Sequence, residues 1–148
     1  MASYHVAAID SIRARIASAW PEVVSNGIYL PIEMRNNLEA KVEKRQLPFA
    51  VLDVEFTEEG WAAHEQEDAG TVTIYYVVSD GTSPDTLIGK LETMRDAIYD
   101  TSPTDALILG NPLLQYGMSL PLNQYFFSAR VALYAGAVVA RVHITEPL

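Results

Sequence analysis

Phe49-Ala50-Val51-Leu52-Asp53-Val54-Glu55-Phe56-Thr57 sets Leu52, Val54 and Phe56 on one side of an extended chain and Asp53, Glu55 and Thr57 on the other. Successive strand residues point to opposite faces, so this pattern predicts a strand with one apolar face and one wet face. A second run, Thr71-Val72-Thr73-Ile74-Tyr75-Tyr76-Val77-Val78-Ser79, is richer in β-branched and aromatic residues, with Val72, Ile74, Tyr76 and Val78 set against Thr73, Tyr75 and Val77. The two runs are expected to pair antiparallel, and the other elements are read outward from that hairpin.

Between the runs stands Glu58-Glu59-Gly60-Trp61-Ala62-Ala63-His64-Glu65-Gln66-Glu67-Asp68-Ala69-Gly70, which reads as a loop. Hairpin turns need about 2 to 5 residues, and longer loops in compact domains are commonly functional or mobile. The segment has no Lys or Arg to neutralise its carboxylates, and it holds Trp61, a residue type enriched where protein surfaces grip one another. Glu58, Glu59, Trp61, His64, Glu65, Glu67 and Asp68 are the candidate interface residues. Trp61 is the expected anchor, in a loop that a partner would order.

Upstream, Val6, Ile9, Ile12, Ile16 and Ala19 recur at helical spacing from Ser3, a fitting N-cap, until Trp20-Pro21 stops the pattern. Arg13 and Arg15 fall outside that stripe. Ser25-Asn26-Gly27-Ile28-Tyr29-Leu30-Pro31 reads as a turn into a short extended piece, and Asn37 to Lys44 as a short helix. Downstream, Ser83 and Pro84 open a helix with Leu87, Leu91, Met94 and Ile98 on one face, ending before Thr101-Ser102-Pro103. Leu107 to Leu122 is apolar but interrupted by Gly110, Pro112, Gly117 and Pro121, so no regular element is predicted there. Asn123 to Arg130 fits a short helix or a strand. Val131 to Thr145 is the longest strand signal, expected to lie centrally with Val139 in the core and Gly136 at a bulge or close approach. These elements predict one α+β domain over residues 1–148, a mostly antiparallel sheet with helices packed on one face.

The 148 residues fit one domain, and a chain near this length buries about 68 to 70% of its unfolded surface. With no cysteine, disulfide frameworks, thiolate catalysis and sulfur-ligated zinc are excluded. No apolar run approaches the roughly 20 residues of a membrane helix, and the N-terminus has no signal-peptide core. A soluble, unprocessed protein of the cytoplasm is expected. The 19 carboxylates against 10 Lys and Arg give a net charge of -9, a field that repels nucleic acid, since phosphate affinity comes from clustered cations.

Chemistry-bearing constellations are sparse. His64, Glu65, Glu67 and Asp68 crowd one segment without His-Glu-x-x-His spacing, a poor metal site. Asp53 and Glu55 share a wet strand face, where nothing would separate their pKa values for acid and base work. Ser79, Ser83, Ser119 and Ser128 lack a nucleophile elbow, and phosphate-loop and dinucleotide-loop motifs are absent. His5 and His143 read as structural or surface residues. Tyr75, Tyr76, Tyr125, Phe126, Phe127 and Tyr134 suit core and interface packing, having few cations nearby for nucleic-acid stacking. No catalytic, cofactor or metal residue is proposed.

The order of elements is a helix ending in Ala19-Trp20-Pro21, a hairpin from Pro48-Phe49-Ala50-Val51-Leu52-Asp53-Val54-Glu55-Phe56 to Thr71-Val72-Thr73-Ile74-Tyr75-Tyr76-Val77, a helix with Ile88-Gly89-Lys90-Leu91-Glu92-Thr93-Met94-Arg95-Asp96-Ala97-Ile98, and the strand Tyr134-Ala135-Gly136-Ala137-Val138-Val139-Ala140-Arg141-Val142. This layout resembles the tail terminator, or tail completion, proteins of long-tailed bacteriophages, and is similar to the lambda-like tail terminator. The resemblance implies a non-enzymatic homo-oligomeric ring, usually of six subunits, assembled in the host cytoplasm and carried in the virion. Such a ring caps the tail tube, stops its polymerisation and presents the surface that joins tail to head. Its partners would be further copies of itself, the tail tube protein and a head-neck connector protein, with DNA passing through unbound. A neck or head completion protein of the same particle would share these features. A small ligand-binding or enzymatic α+β domain, using a pocket around Leu107 to Tyr116, is the remaining alternative.

Overall fold

The structure, a computed structural model, describes residues 4–31, 33, 47–62, 65–79, 82–99, 107–109, 113–115 and 133–147; for 4, 57–62, 65–67, 79, 99, 107–109, 113–115, 133–134 and 145–147 it describes the backbone. Helix α1 spans Tyr4–Ala19 and leads through a 3₁₀ turn, Pro21–Val23, to β1, Ile28–Tyr29. Strands β2, Phe49–Ala62, and β3, Glu65–Ser79, form the hairpin. Then come α2, Pro84–Tyr99, two short strands β4, Leu107–Leu109, and β5, Leu113–Gln115, and the closing strand β6, Leu133–Pro147. The sheet runs β1-β2-β3-β6-β4, with β5 also on β6. Only β1 with β2 is parallel among the described pairs. The domain is α+β with a mostly antiparallel sheet.

The antiparallel hairpin is present, but the described residues of Glu58 to Gly70 are strand and not loop. Strand β2 continues to Ala62, which pairs with Glu65, so the strands run to within two residues of one another. The residues of this stretch, Glu, Gly and Ala, are weak strand formers, yet β3 is paired along its whole length to β6, from Glu65↔Pro147 to Ser79↔Leu133. That ladder supplies hydrogen-bond partners which local preference does not register. A bulge falls between Phe56 and Glu58, opposite Gly70 and Ala69. A Cβ on Gly70 would run into the carbonyl of Glu55, so glycine permits the close backbone approach there.

The core lies on the even-numbered side of the strands. Leu52, Val72, Ile74, Tyr76, Val138, Ala140, Val142 and Ile144 share one buried cluster with Ala8, Ile12 and Ile16 of α1 and Leu87, Leu91, Met94 and Ile98 of α2. Burying each large aliphatic side chain contributes about 1.5 to 3 kcal/mol. Helix α2 follows its predicted face, and its start is capped by the Ser83 hydroxyl accepting from the Thr86 N–H at 3.2 Å. In α1 the buried stripe is Ala8, Ile12 and Ile16, while Val6, expected inside, is exposed. Val6 stands six residues before Ile12, about 120° off the stripe at 3.6 residues per turn. Trp20 is fully buried where the helix stops, its indole N–H donating to the Lys90 carbonyl at 2.9 Å.

At its inner end the sheet is buried on its other face as well. Phe49, Val51, Tyr75, Val77, Ala135 and Ala137 form a second cluster, with Tyr29 and Leu47 packed against it. Gly136 is the expected close-approach point, since a Cβ there would sit 2.5 Å from Leu91 Cδ1. Val139 is a correction. It is only partly buried, on the polar half of the odd-numbered side opposite Thr73, while its neighbour Val138 is fully buried in the main core. Within Leu107 to Leu122, where no element was predicted, two three-residue strands pair with β6. The helix expected at Asn37 to Lys44 and the element at Asn123 to Arg130 lie outside the described residues. No described helix is long and apolar enough to cross a membrane.

Candidate functional site

The described candidate interface residues sit on the outer half of an arm made by β2, β3 and β6, with β4 alongside β6 as far as the Leu107↔Ile144 row. Register places Glu58 opposite Ala69, Glu59 opposite Asp68, Trp61 opposite Gln66, and Glu67 opposite Thr145. His64 lies outside the described residues. From Asp53 to Asp68 the chain carries seven carboxylates and neither Lys nor Arg. At about 3.3 Å per residue, the 15 residues of β3 span roughly 50 Å.

Asp68 departs from the reading of a solvated loop carboxylate. It is 5% exposed, in the register row of Ile144, and its Oδ2 meets His5 Nε2 at 2.8 Å. The His5 ring packs edge-on against Phe56, centroids 4.7 Å apart at 82°. Desolvating a carboxylate is costly unless it is paired and hydrogen-bonded. His5, at the first turn of α1, therefore fastens the helix to the base of the arm. A carboxylate-bound imidazole also orients the base in hydrolytic triads, but the described contacts here, an aromatic edge and a buried acid, are those of a fastening. No sequence signal marked His5, because the pairing joins residues 63 positions apart, His5 and Asp68.

Asp53 and Glu55 lie on the odd-numbered side, in register with Thr73 and Thr71. Asp53 is half-buried and Glu55 exposed. Burial, and then the Glu55 charge, hold the Asp53 carboxyl above its ordinary range. The sequence reading expected neither group to lose water. Raised acids of this kind serve as general acids in some enzymes, yet no described partner here arranges a reaction.

A second polar group stands at the root of the sheet. Glu22 Oε1 accepts from the Tyr76 hydroxyl at 2.9 Å and meets Lys90 Nζ at 2.8 Å, tying the 3₁₀ turn to β3 and α2. Burial raises the Glu22 carboxyl, but the Lys90 hydrogen bond and charge, with Tyr76, outweigh it and hold the group below its ordinary value. Burial and the Glu22 carboxylate push the Tyr76 phenol upward, which makes it a poor base and a good structural donor. The Trp20 and Tyr76 rings lie 4.7 Å apart beside this network. Among the described residues no group of three or more His, Asp or Glu is placed to hold a metal ion.

The sequence matches no family model and no curated protein. The site is an acidic, extended part of the sheet with the contact between His5 and the buried Asp68 at its base.

Proposed function

We propose that this chain is a subunit of a closed ring that ends a tubular polymer, in the manner of the tail terminator proteins of long-tailed bacteriophages. The observation that carries this reading is the acidic arm of β2, β3 and β6, continuous with the core sheet. A rigid arm can engage a neighbour at low conformational-entropy cost, because its backbone is already ordered. The order of helix, hairpin, helix and closing strand is the layout on which the resemblance rests. A ring built from one chain uses heterologous contacts, in which one patch of a subunit meets a different patch of the next. The arm supplies one such patch. The acidic arm and the net charge of -9 suit a passage that DNA crosses without being held.

The test is the mass of the purified protein by light scattering and native mass spectrometry, alone and with the tail tube protein of its particle. A closed oligomer, usually of six copies, or a capped tube of fixed length is expected. A monomer under both conditions, with tubes that grow unchecked, would overturn the reading.

A further inference from the structure

We propose that Asn26-Gly27 is a site of spontaneous cyclisation, shut in the folded protein and open in the unfolded chain, whose products no longer form the corner between the 3₁₀ turn and β2. Asn-Gly is the Asn-containing pair that cyclises most readily, because glycine has no Cβ to shield its amide nitrogen or to restrict its backbone. The reaction needs only water. The Gly27 nitrogen gives up its proton and bonds to Asn26 Cγ, the Cγ–Nδ2 bond breaks, and ammonia leaves, so that a cyclic imide joins the two residues. Water then opens the imide at either carbonyl, leaving an aspartate, or an isoaspartate whose main chain runs through Cγ.

Packing fixes both residues. Gly27 has a φ of +127°, and a Cβ there would collide with the Tyr29 ring, so the corner requires glycine. Asn26 supplies the amide: its Nδ2 donates to the Pro48 carbonyl at 2.9 Å and, over a longer 3.4 Å, to the Glu22 carbonyl. The same corner closes the reaction path. The Gly27 N–H donates to the Val23 carbonyl at 2.7 Å, which holds the proton that must leave. The Asn26 carbonyl accepts from the Tyr29 hydroxyl at 2.6 Å and the Gly27 carbonyl from the Ala50 N–H at 3.1 Å, so the peptide groups that cyclisation must turn are anchored. Tyr29 in turn packs edge-on against Phe49. Ser25 is exposed, and Asn26 and Gly27 are half-buried. Water therefore reaches the corner, and its hydrogen bonds do the protecting. After reaction, an aspartate sets an acceptor against the Pro48 and Glu22 carbonyls where a donor stood, which is costly. An isoaspartate lengthens the main chain between the Val23 and Ala50 contacts. Both products disturb the junction where β1 meets β2, at Ile28↔Ala50 and Tyr29↔Val51. A chain that has stayed unfolded is thus marked permanently. The inference stands whether or not the chain forms a ring.

The experiment incubates the intact protein in mildly alkaline buffer, folded and in denaturing urea, beside a synthetic Val23-to-Tyr29 peptide in both solutions to correct for urea itself. Trypsin then releases Ile16 to Arg35, which contains no other Asn or Gln. Mass spectrometry counts the conversion of amide to acid, and enzymatic methylation counts isoaspartate. Conversion is expected to be slower by about tenfold or more in the folded protein, because reaction of an opened state follows its population. Equal rates in the folded and unfolded protein overturn the inference. After dilution out of urea, isoaspartate chains should collect in the fraction that fails to refold, and an even distribution between fractions overturns the claim about the products. Asn26→Asp should melt at a lower temperature than the parent or fail to fold. A variant that melts with the parent overturns that claim as well.

Discussion

Asp68 shows how far one side chain can move from the environment its neighbours in sequence suggest. It ends a stretch of Glu, Gln and Glu, yet it is buried and closed by His5 at 2.8 Å. His5→Ala should cost about 1 to 3 kcal/mol in denaturant unfolding, the range for losing a hydrogen bond to a buried charged group. A loss equal to that of Ser18→Ala, an exposed α1 position, would show that the pair does not fasten the helix. Asp53 makes the opposite prediction. Its carboxyl lies above the ordinary range, so in the folded state it holds its proton to higher pH than in the unfolded chain. Stability contributed by this group is thus present at low pH and falls as pH rises from near 3.9 through the folded value. Asp53→Asn should stabilise the protein at pH 7 by less than about 1 kcal/mol, because the half-exposed carboxylate is screened by water, and the gain should vanish near pH 3. A melting-temperature series over pH 3 to 7 checks the sign.

The long strands are legible as strands from their alternation, but their ends and neighbours are set by pairing. The outer part of β2 and β3 reads as loop because Glu, Gly and Ala are weak strand formers, and nothing local reveals that β6 runs alongside from Glu65 to Ser79. Gly70 is the element-scale consequence. Its missing Cβ makes room for the Glu55 carbonyl, whereas Gly136 faces the movable tip of Leu91. Gly70→Ala should therefore lower the melting temperature more than Gly136→Ala, with overpacking of about 1 to 3 kcal/mol at the backbone contact. A reversed order would place the bulge elsewhere. In β6 the fully buried Val138 and the half-buried Val139 give a second contrast. Val138→Asp should abolish folding by burying an unpaired charge, while Val139→Asp should fold with reduced stability. Circular dichroism of both variants measures the difference.

For the whole molecule, the proposed ring needs contacts outside the core, and Trp61 remains the residue to test. Its backbone lies in β2 opposite Gln66, on the outer part of the arm. If Trp61 is the anchor of the proposed ring, Trp61→Ala should leave the melting curve within about 0.5 kcal/mol of the parent while lowering assembly by about 2 kcal/mol or more, as truncation of an interface anchor does. Light scattering paired with thermal melting separates the outcomes: a variant that loses stability yet assembles normally would reject the anchor role. Alternation and helical spacing determined the hairpin, helix α2, the closing strand and the α+β class, because period and burial are local properties of a chain that must hide one face of each element. Tertiary structure alone decided that the acidic segment is strand, that His5 closes on Asp68, that Asp53 loses water, and that Val138 and not Val139 is core. Each of these depends on which distant segment lies alongside, and pairing between distant segments leaves no period in the sequence to read.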